Sequence, residues 1–300
     1  MDTYAEYDWN MVRETIEVVF YIGGECVYIG VDGSKNQWVA ALLAGTKEGT
    51  TIRYVQVEHL EELWAEFGTA CRKLLIDMPL GLSSSGKRRC DELVMDMLGP
   101  ANKKRCFHAP SYNALEEWRR LSHADSEGVP SLSPRERYDA INGINVKETQ
   151  LNLTPPGYAL VPRIANVRDF VLSIADRSMV SEAHPEVCFI ALSNRGSFSS
   201  KHHLPGLFER LAVIQAEIPN YIHDLANGGN RVWSNVSAKM DDVLDATVLA
   251  LTARMMMENP ASIRRITDEP PINDQSGIPI EIVYASNNHN SNRTEVKIFN

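Results

Sequence analysis

The sequence predicts an α/β fold, and three observations carry that prediction. Short apolar runs with β-branched residues have strand length, as in Val27 to Val31 and Leu74 to Ile76. Between them lies a stretch whose apolar residues recur at helical spacing: Leu60, Leu63, Trp64 and Phe67. Three separated apolar segments also each deliver acid: Asp32 in YIGVD, Asp77 in KLLID, and Asp242 with Asp245 in MDDVLDATVLALTA. Carboxylates gathered from remote segments suit hard divalent cations, which need several oxygen ligands.

The elements follow in order. A first strand ends at Asp32, and Gly33, Ser34, Lys35 and Asn36 form the turn after it. A second strand is read from Trp38 to Leu43 and a third from Thr51 to Val57. A helix is expected near Glu58 to Leu74, with Cys71 as its last apolar position. The fourth strand, Leu74 to Asp77, is stopped by Pro79. Residues from about Leu82 to Leu160 then interrupt the strands with helical stretches, Arg88 to Leu98 and Pro134 to Gln150, joined by turns such as GVPSLSP. A helix from Gly157 to Ile174 leads to a fifth strand, Met179 to Glu182. Pro185 stops that strand and opens a helix, with Glu186 beside its positive end. In the last helix, Val243, Leu244, Val248, Leu249, Leu251 and Met255 fit a mostly buried element. Asp242 and Asp245 share a face there, while Asp241 suits an N-cap or the first turn. Taken singly, each acid also has a structural reading, as a turn former or a first-turn acid.

The order of three strands, helix, strand, later strand and final helix, with acids on the first strand, the fourth strand and the last helix, resembles the RNase H fold. DDVLDATVLALTA is similar to the last acidic helix of RuvC-type Holliday junction resolvases. GVDGSKNQWVAAL, IDMPLGL, RRCDELVMDMLG, CFHAPS, SEAHPEVCFIAL, DDVLDA and SGIPIEIVY resemble, in the same order, a group described as predicted RNase H-like nucleases. The resemblance covers roughly residues 28–284. It implies an RNase H-like mixed sheet flanked by helices, one domain over residues 21–285, and a helical insertion at about 82–160 after the fourth strand.

Carried over residue by residue, the resemblance places Asp32, Asp77, Asp242 and Asp245 in a metal cluster, with Glu182 as a further catalytic candidate. Glu186 and His184 are supporting candidates, the histidine as a carboxylate-orienting group, a general acid or a core hydrogen-bonder. The implied chemistry is two-metal phosphodiester hydrolysis by Mg²⁺ or Mn²⁺, with ions about 4 Å apart. Asp32 would bridge them, Asp77 would hold one, and Asp242 or Asp245 the other.

Charge bears on the substrate. Thirty basic against thirty-nine acidic residues give a net charge of −9 and a pI near 5.4, the wrong sign for broad binding to a polyanion. Locally the sign reverses at Lys87, Arg88, Arg89, Lys103, Lys104 and Arg105, and again at Lys201, His202, His203 and Arg210. Arg88, Arg89, Lys201 and Arg210 are therefore phosphate-binding candidates. A small phosphorylated substrate fits the overall acidity at least as well as a long duplex. A nucleic acid or nucleotide is the expected partner.

VDGSKNQWVA also resembles the first phosphate loop of actin-like ATPases and sugar kinases, in which Gly33, Ser34 and Lys35 would contact nucleotide phosphates through backbone amides and side chains. Those proteins need a second such domain, and no second copy of the pattern occurs. A non-catalytic nucleic-acid-binding module is the remaining alternative. The five cysteines, at 26, 71, 90, 106 and 188, contain no Cys-x-x-Cys pair and read as reduced, mostly buried thiols of a cytoplasmic protein. No apolar stretch approaches the roughly twenty residues that span a bilayer, and acids precede Val18 to Ile22, so the start does not read as a signal peptide. Residues 1–20 read as an N-terminal extension and 286–300 as a disordered polar tail.

Overall fold

The computed structural model describes residues 26–45, 49–126, 132–193, 195–227 and 236–286. Strands β1 (Val27–Ser34), β2 (Gln37–Ala44), β3 (Thr51–Val57), β4 (Cys71–Ile76) and β5 (Val180–Glu182) form a mixed sheet in the order β3-β2-β1-β4-β5. The first three make an antiparallel meander; β4 lies parallel to β1, and β5 parallel to β4. The helices are α1 (Leu60–Phe67), α2 (Arg89–Asn102), α3 (Tyr112–Ser126), α4 (Pro134–Thr149), α5 (Pro155–Ser173), α6 (Pro185–Ser193), α7 (Leu204–Glu217), α8 (Tyr221–Asn227) and α9 (Met240–Glu258). A second sheet pairs β6 (Ile263–Thr267) with β7 (Glu281–Ala285) antiparallel.

The period of two along each strand divides the core. Trp38, Ala40 and Leu42 of β2 join Ile29 and Val31 of β1 and Leu74 and Ile76 of β4 on the face covered by α1 and α5. Val39, Ala41 and Leu43, with Leu75, face α6, α7 and α9. Gly30 belongs to the second face, and a Cβ there would overlap the Ala246 carbonyl oxygen and the Ala250 amide nitrogen. Glycine at this position lets α9 lie directly on the sheet. Asp32, two residues on, points to the same face and so toward the N-terminal turns of α9.

Between β4 and β5 the chain forms α2 to α5. Helices α3 and α4 share a small apolar cluster of Ala114, Leu121, Ile141 and Leu153, whereas α5 packs its Val161, Ile164, Val167 and Phe170 onto the main sheet. Ser133 caps α4 with a reciprocal Glu136 bond, and Thr154 caps α5 ahead of Pro155. Helix α2 packs against β6 and β7 through Cys90, Val94, Leu98, Ile266, Ile280 and Ile282.

Several boundaries differ from the sequence-based expectation. β1 runs past Asp32 to Ser34 because Gly33 and Ser34 pair with Trp38 and Gln37. The turn is thus only Lys35 and Asn36, with Lys35 left-handed at φ 50°. The helix expected to reach Leu74 ends at Phe67: Gly68 closes it, and Cys71 pairs with Val27 as the start of β4. Asp241 lies in the first turn of α9, behind Lys239 as the cap residue. Strand β6 had no counterpart in the sequence reading. Residues 1–20, most of the tail from 286, and 128–131 of the GVPSLSP turn lie outside the described residues. Among the described residues no helix is long and apolar enough to cross a membrane, and all five cysteines are free.

Candidate active site

The parallel pairing of β1 and β4 sets two acids side by side. Asp77 follows β4 immediately, and its backbone N–H donates to the Val31 carbonyl at 3.0 Å, beside Asp32. Helix α9, seated on Gly30, brings Asp245 to the same place, with Asp242 half-buried one turn earlier. Asp32 is 8% exposed and Asp245 2%.

Burial is the main force on these groups. It pushes the Asp32 carboxyl well above its ordinary value, and the neighbouring charges of Asp77 and Asp245 add to the shift. Asp77 is raised by burial, against the pull of His184 and Lys201. Asp245 is pushed up to about 7 by burial, although the Lys201 ammonium bonds its Oδ2. Lys201 is itself raised, because the pull of Asp245, Asp32 and Asp77 outweighs its own burial. One ammonium faces three carboxylates, which leaves an excess of negative charge in the cluster when all three ionise.

These donors fit a hard divalent cation. All are carboxylates, they come from three segments, and the Asp245 Oδ1 atom is buried without a hydrogen-bond partner. Among the described residues no group of three His, Cys, Asp or Glu side chains is drawn tightly enough to enclose an ion as it stands. Lys201 now supplies the positive charge at Asp245.

The other predicted residues have different surroundings. Glu182, at the end of β5, accepts from Arg88 Nη2 with both oxygens (2.8 and 2.7 Å) and from the Leu80 N–H (2.8 Å). Burial lifts its carboxyl to about 7 in spite of Arg88. Glu186 receives Arg210 Nη2 on one oxygen (2.5 Å) and Arg105 Nη1 on the other (2.9 Å). Both glutamates are thus bound to buried or half-buried arginines, an arrangement that holds β5 and α6 in place. Arg88 and Arg210, read from sequence as phosphate contacts, are enclosed partners of those acids, at 3% and 0% exposure. Arg89 is exposed near Glu92, and Lys35 is exposed at the tip of the β1–β2 turn. His184 donates from Nε2 to the Arg105 carbonyl (3.3 Å); in the neutral ring its buried, unpartnered Nδ1 then carries the lone pair.

A cavity of about 190 Å³ opens between these elements. Asp32, Asp77, His184, Glu182 and Asp91 contribute polar groups to its wall, and Met78, Phe107 and Leu160 contribute apolar ones. Two arginines line it, Arg105 and Arg163. Asp91 is buried, accepts from the Ala109 N–H at 3.0 Å and lies 3.3 Å from Arg88. Sequence reading missed Asp91, Phe107 and Arg163 as site residues. RRCDELVMDMLG and CFHAPS, which carry the first two, did stand among the quoted motifs; Arg163, on an apolar helix, gave no signal.

No match was found among curated proteins, and none among solved structures. The family described as protein of unknown function, DUF429, matches residues 30–271, a span that runs from within β1 through β6 and holds every site residue named above. The chain belongs to this DUF429 family.

Proposed function

We propose that the chain is a divalent-metal-dependent phosphodiesterase or nuclease with an RNase H-like core. The observation that supports it most is the convergence of Asp32, Asp77 and Asp245, from a strand, a strand end and a helix, where burial disfavours their charge unless a cation compensates it. The element order supports the finer fold reading: three antiparallel strands, a helix, a parallel strand, a later parallel strand and a final acidic helix follow the pattern of the resemblance.

Bound Mg²⁺ or Mn²⁺ would supply an activated water and charge stabilisation at the leaving oxygen. Asp32, Asp77 and Asp245 are the residues to hold it, with Asp242 half-buried at the rim. Lys201 neutralises Asp245 in the meantime and thereby lowers the cost of burying that carboxylate. His184 lines the cavity with its ring held by the Nε2 bond to the Arg105 carbonyl, which suits a carboxylate-orienting role. The parallel pairing of β1 and β4 makes Asp32 and Asp77 neighbours in the sheet.

The nucleotide-binding alternative draws less support. Only Lys35 and Asn36 lie outside the β1–β2 ladder, too short a loop to wrap a phosphate chain. The cavity is also below the roughly 300–1,000 Å³ that enclose a whole small ligand, and suits one phosphate group of a longer substrate.

The test is hydrolysis of bis(4-nitrophenyl) phosphate, then of single- and double-stranded DNA and RNA, with Mn²⁺ present. Turnover that Asp32→Asn abolishes is the expected result. A protein that binds Mn²⁺ through Asp32 yet cleaves none of these substrates would sink the catalytic reading.

A further inference from the structure

Arg163, half-buried on α5, stands apart from the paired arginines near the site. Arg88 pairs with Glu182 and Asp91, Arg105 and Arg210 share Glu186, and Arg168 pairs with Asp274 at 2.5 Å. Arg163 has no carboxylate within ion-pair distance among the described residues, and its Nη2 is buried without any hydrogen-bond partner. Leaving a buried charged donor unsatisfied costs more than leaving a neutral one, so a vacant guanidinium on a cavity wall calls for an acceptor.

Its position is built. The guanidinium lies over the Trp38 ring, 5.3 Å from the centroid, which fixes its plane by a cation–π contact. Nη1 occupies the space that a Cβ at residue 33 would fill, so Gly33 is the cradle that lets the charge lie against the β1 backbone next to Asp32. Burial lowers its affinity for its proton, and the nearby charges of Asp32 and Asp242 restore part of that loss without bonding to it. Gly33 faces the α5 side of the sheet and Asp32 the α9 side. Both Asp32 and Arg163 nonetheless line the same cavity, where Glu182 and Arg105 are already bonded to Arg88 and Glu186.

We infer that Arg163 is a phosphate-binding residue of this site: its free guanidinium edge takes a non-bridging phosphate oxygen of the substrate, in the cavity that Asp32 and Asp77 also line. The inference rests on the phosphodiesterase reading for its substrate class, a phosphodiester of a single nucleic-acid strand. The guanidinium fork suits two oxygens of one phosphate, a geometry a lysine ammonium cannot reproduce.

The test uses a fluorescein-labelled single-stranded DNA pentanucleotide with Ca²⁺ in the buffer, and wild type, Arg163→Gln and Arg163→Lys. Affinity by anisotropy is set beside Mn²⁺ affinity by calorimetry and the melting temperature. Arg163→Gln should weaken the oligonucleotide at least tenfold, and Arg163→Lys should recover part of that loss. Mn²⁺ affinity should stay equal or rise, because a cation near the acids has gone. Oligonucleotide affinity unchanged in Arg163→Gln, or no oligonucleotide binding by a wild type that does bind Mn²⁺, would overturn the inference. Should Mn²⁺ fail to bind, the metal reading falls separately. The arginine is then decided on metal-free protein by the rise in melting temperature with inorganic phosphate, which Arg163→Gln should abolish and whose persistence in that variant would refute the role.

Discussion

Gly30→Ala is a one-carbon change far from solvent that should damage both the fold and the acid cluster. The added Cβ would lie 2.8 Å from the Leu249 Cβ and closer still to the Ala246 carbonyl oxygen and the Ala250 amide nitrogen, all inside the 3.0 Å that real Cβ atoms keep. Two of those three atoms are backbone, so no side chain can rotate away, and α9 must lift from β1 by about 1 Å. Overpacking costs about 1–3 kcal/mol, and the upper end applies because a whole helix has to move. Metal–ligand distances tolerate only about 0.2 Å, so the same displacement separates Asp245 from Asp32 by more than a shared ion allows. Urea unfolding should therefore show a loss of about 3 kcal/mol. Calorimetry on the folded fraction should show Mn²⁺ affinity falling at least tenfold. Wild-type stability together with wild-type Mn²⁺ affinity would mean that α9 does not position the acids through Gly30.

Two further outcomes follow from the electrostatics. Asp32, Asp77, Asp245 and Glu182 all have folded-state carboxyls raised above their unfolded values, Asp245 and Glu182 to about 7. Between about pH 4 and 7 the folded state thus binds more protons than the unfolded one, and stability falls as pH rises through that window. The acids shifted the other way are Glu136 and Asp176, which are exposed, and Glu117 and Glu209, which are half-buried; solvent screening makes their offset small. The metal-free protein should melt higher at about pH 5 than at about pH 8, with the gap narrowed by Asp32→Asn; a melting temperature that rises toward pH 8 would contradict the assignment. Glu186→Gln strands Arg210, fully buried, and Arg105 without their shared carboxylate, at a cost of about 3–5 kcal/mol in urea unfolding. Mn²⁺ affinity of the folded variant should stay within about threefold, and a stability loss under about 1 kcal/mol would show that the glutamate does not hold those arginines.

Periodicity made much of the sheet legible. The third strand, Thr51 to Val57, and the start of α6 at Pro185 appear where the residue pattern put them. Errors arose where two periods fit the same residues: Cys71 and Leu74 continue the spacing of Leu60, Leu63 and Phe67, and only tertiary pairing with β1 makes them strand. β6, with the sequence IRRIT, carries two arginines in five residues and lacked a clear strand signature. In the site, the four aspartates could be singled out because each interrupts an apolar segment. The partners of Glu182 and Glu186 could not, since Arg88 is 94 positions from one and Arg105 81 from the other. Local sequence showed a basic cluster; the fold turned two of its members inward. Arg163 was invisible for the same reason, because its distinction is the absence of a partner in three dimensions.

A calorimetric titration of Mn²⁺ into wild type, Asp32→Asn, Asp77→Asn and Asp245→Asn tests most directly whether these acids form one metal site. Binding that every substitution weakens, from three segments at once, is the predicted result. Binding indifferent to all three, or none at all in the wild type, would contradict it and leave the carboxylates as structural groups.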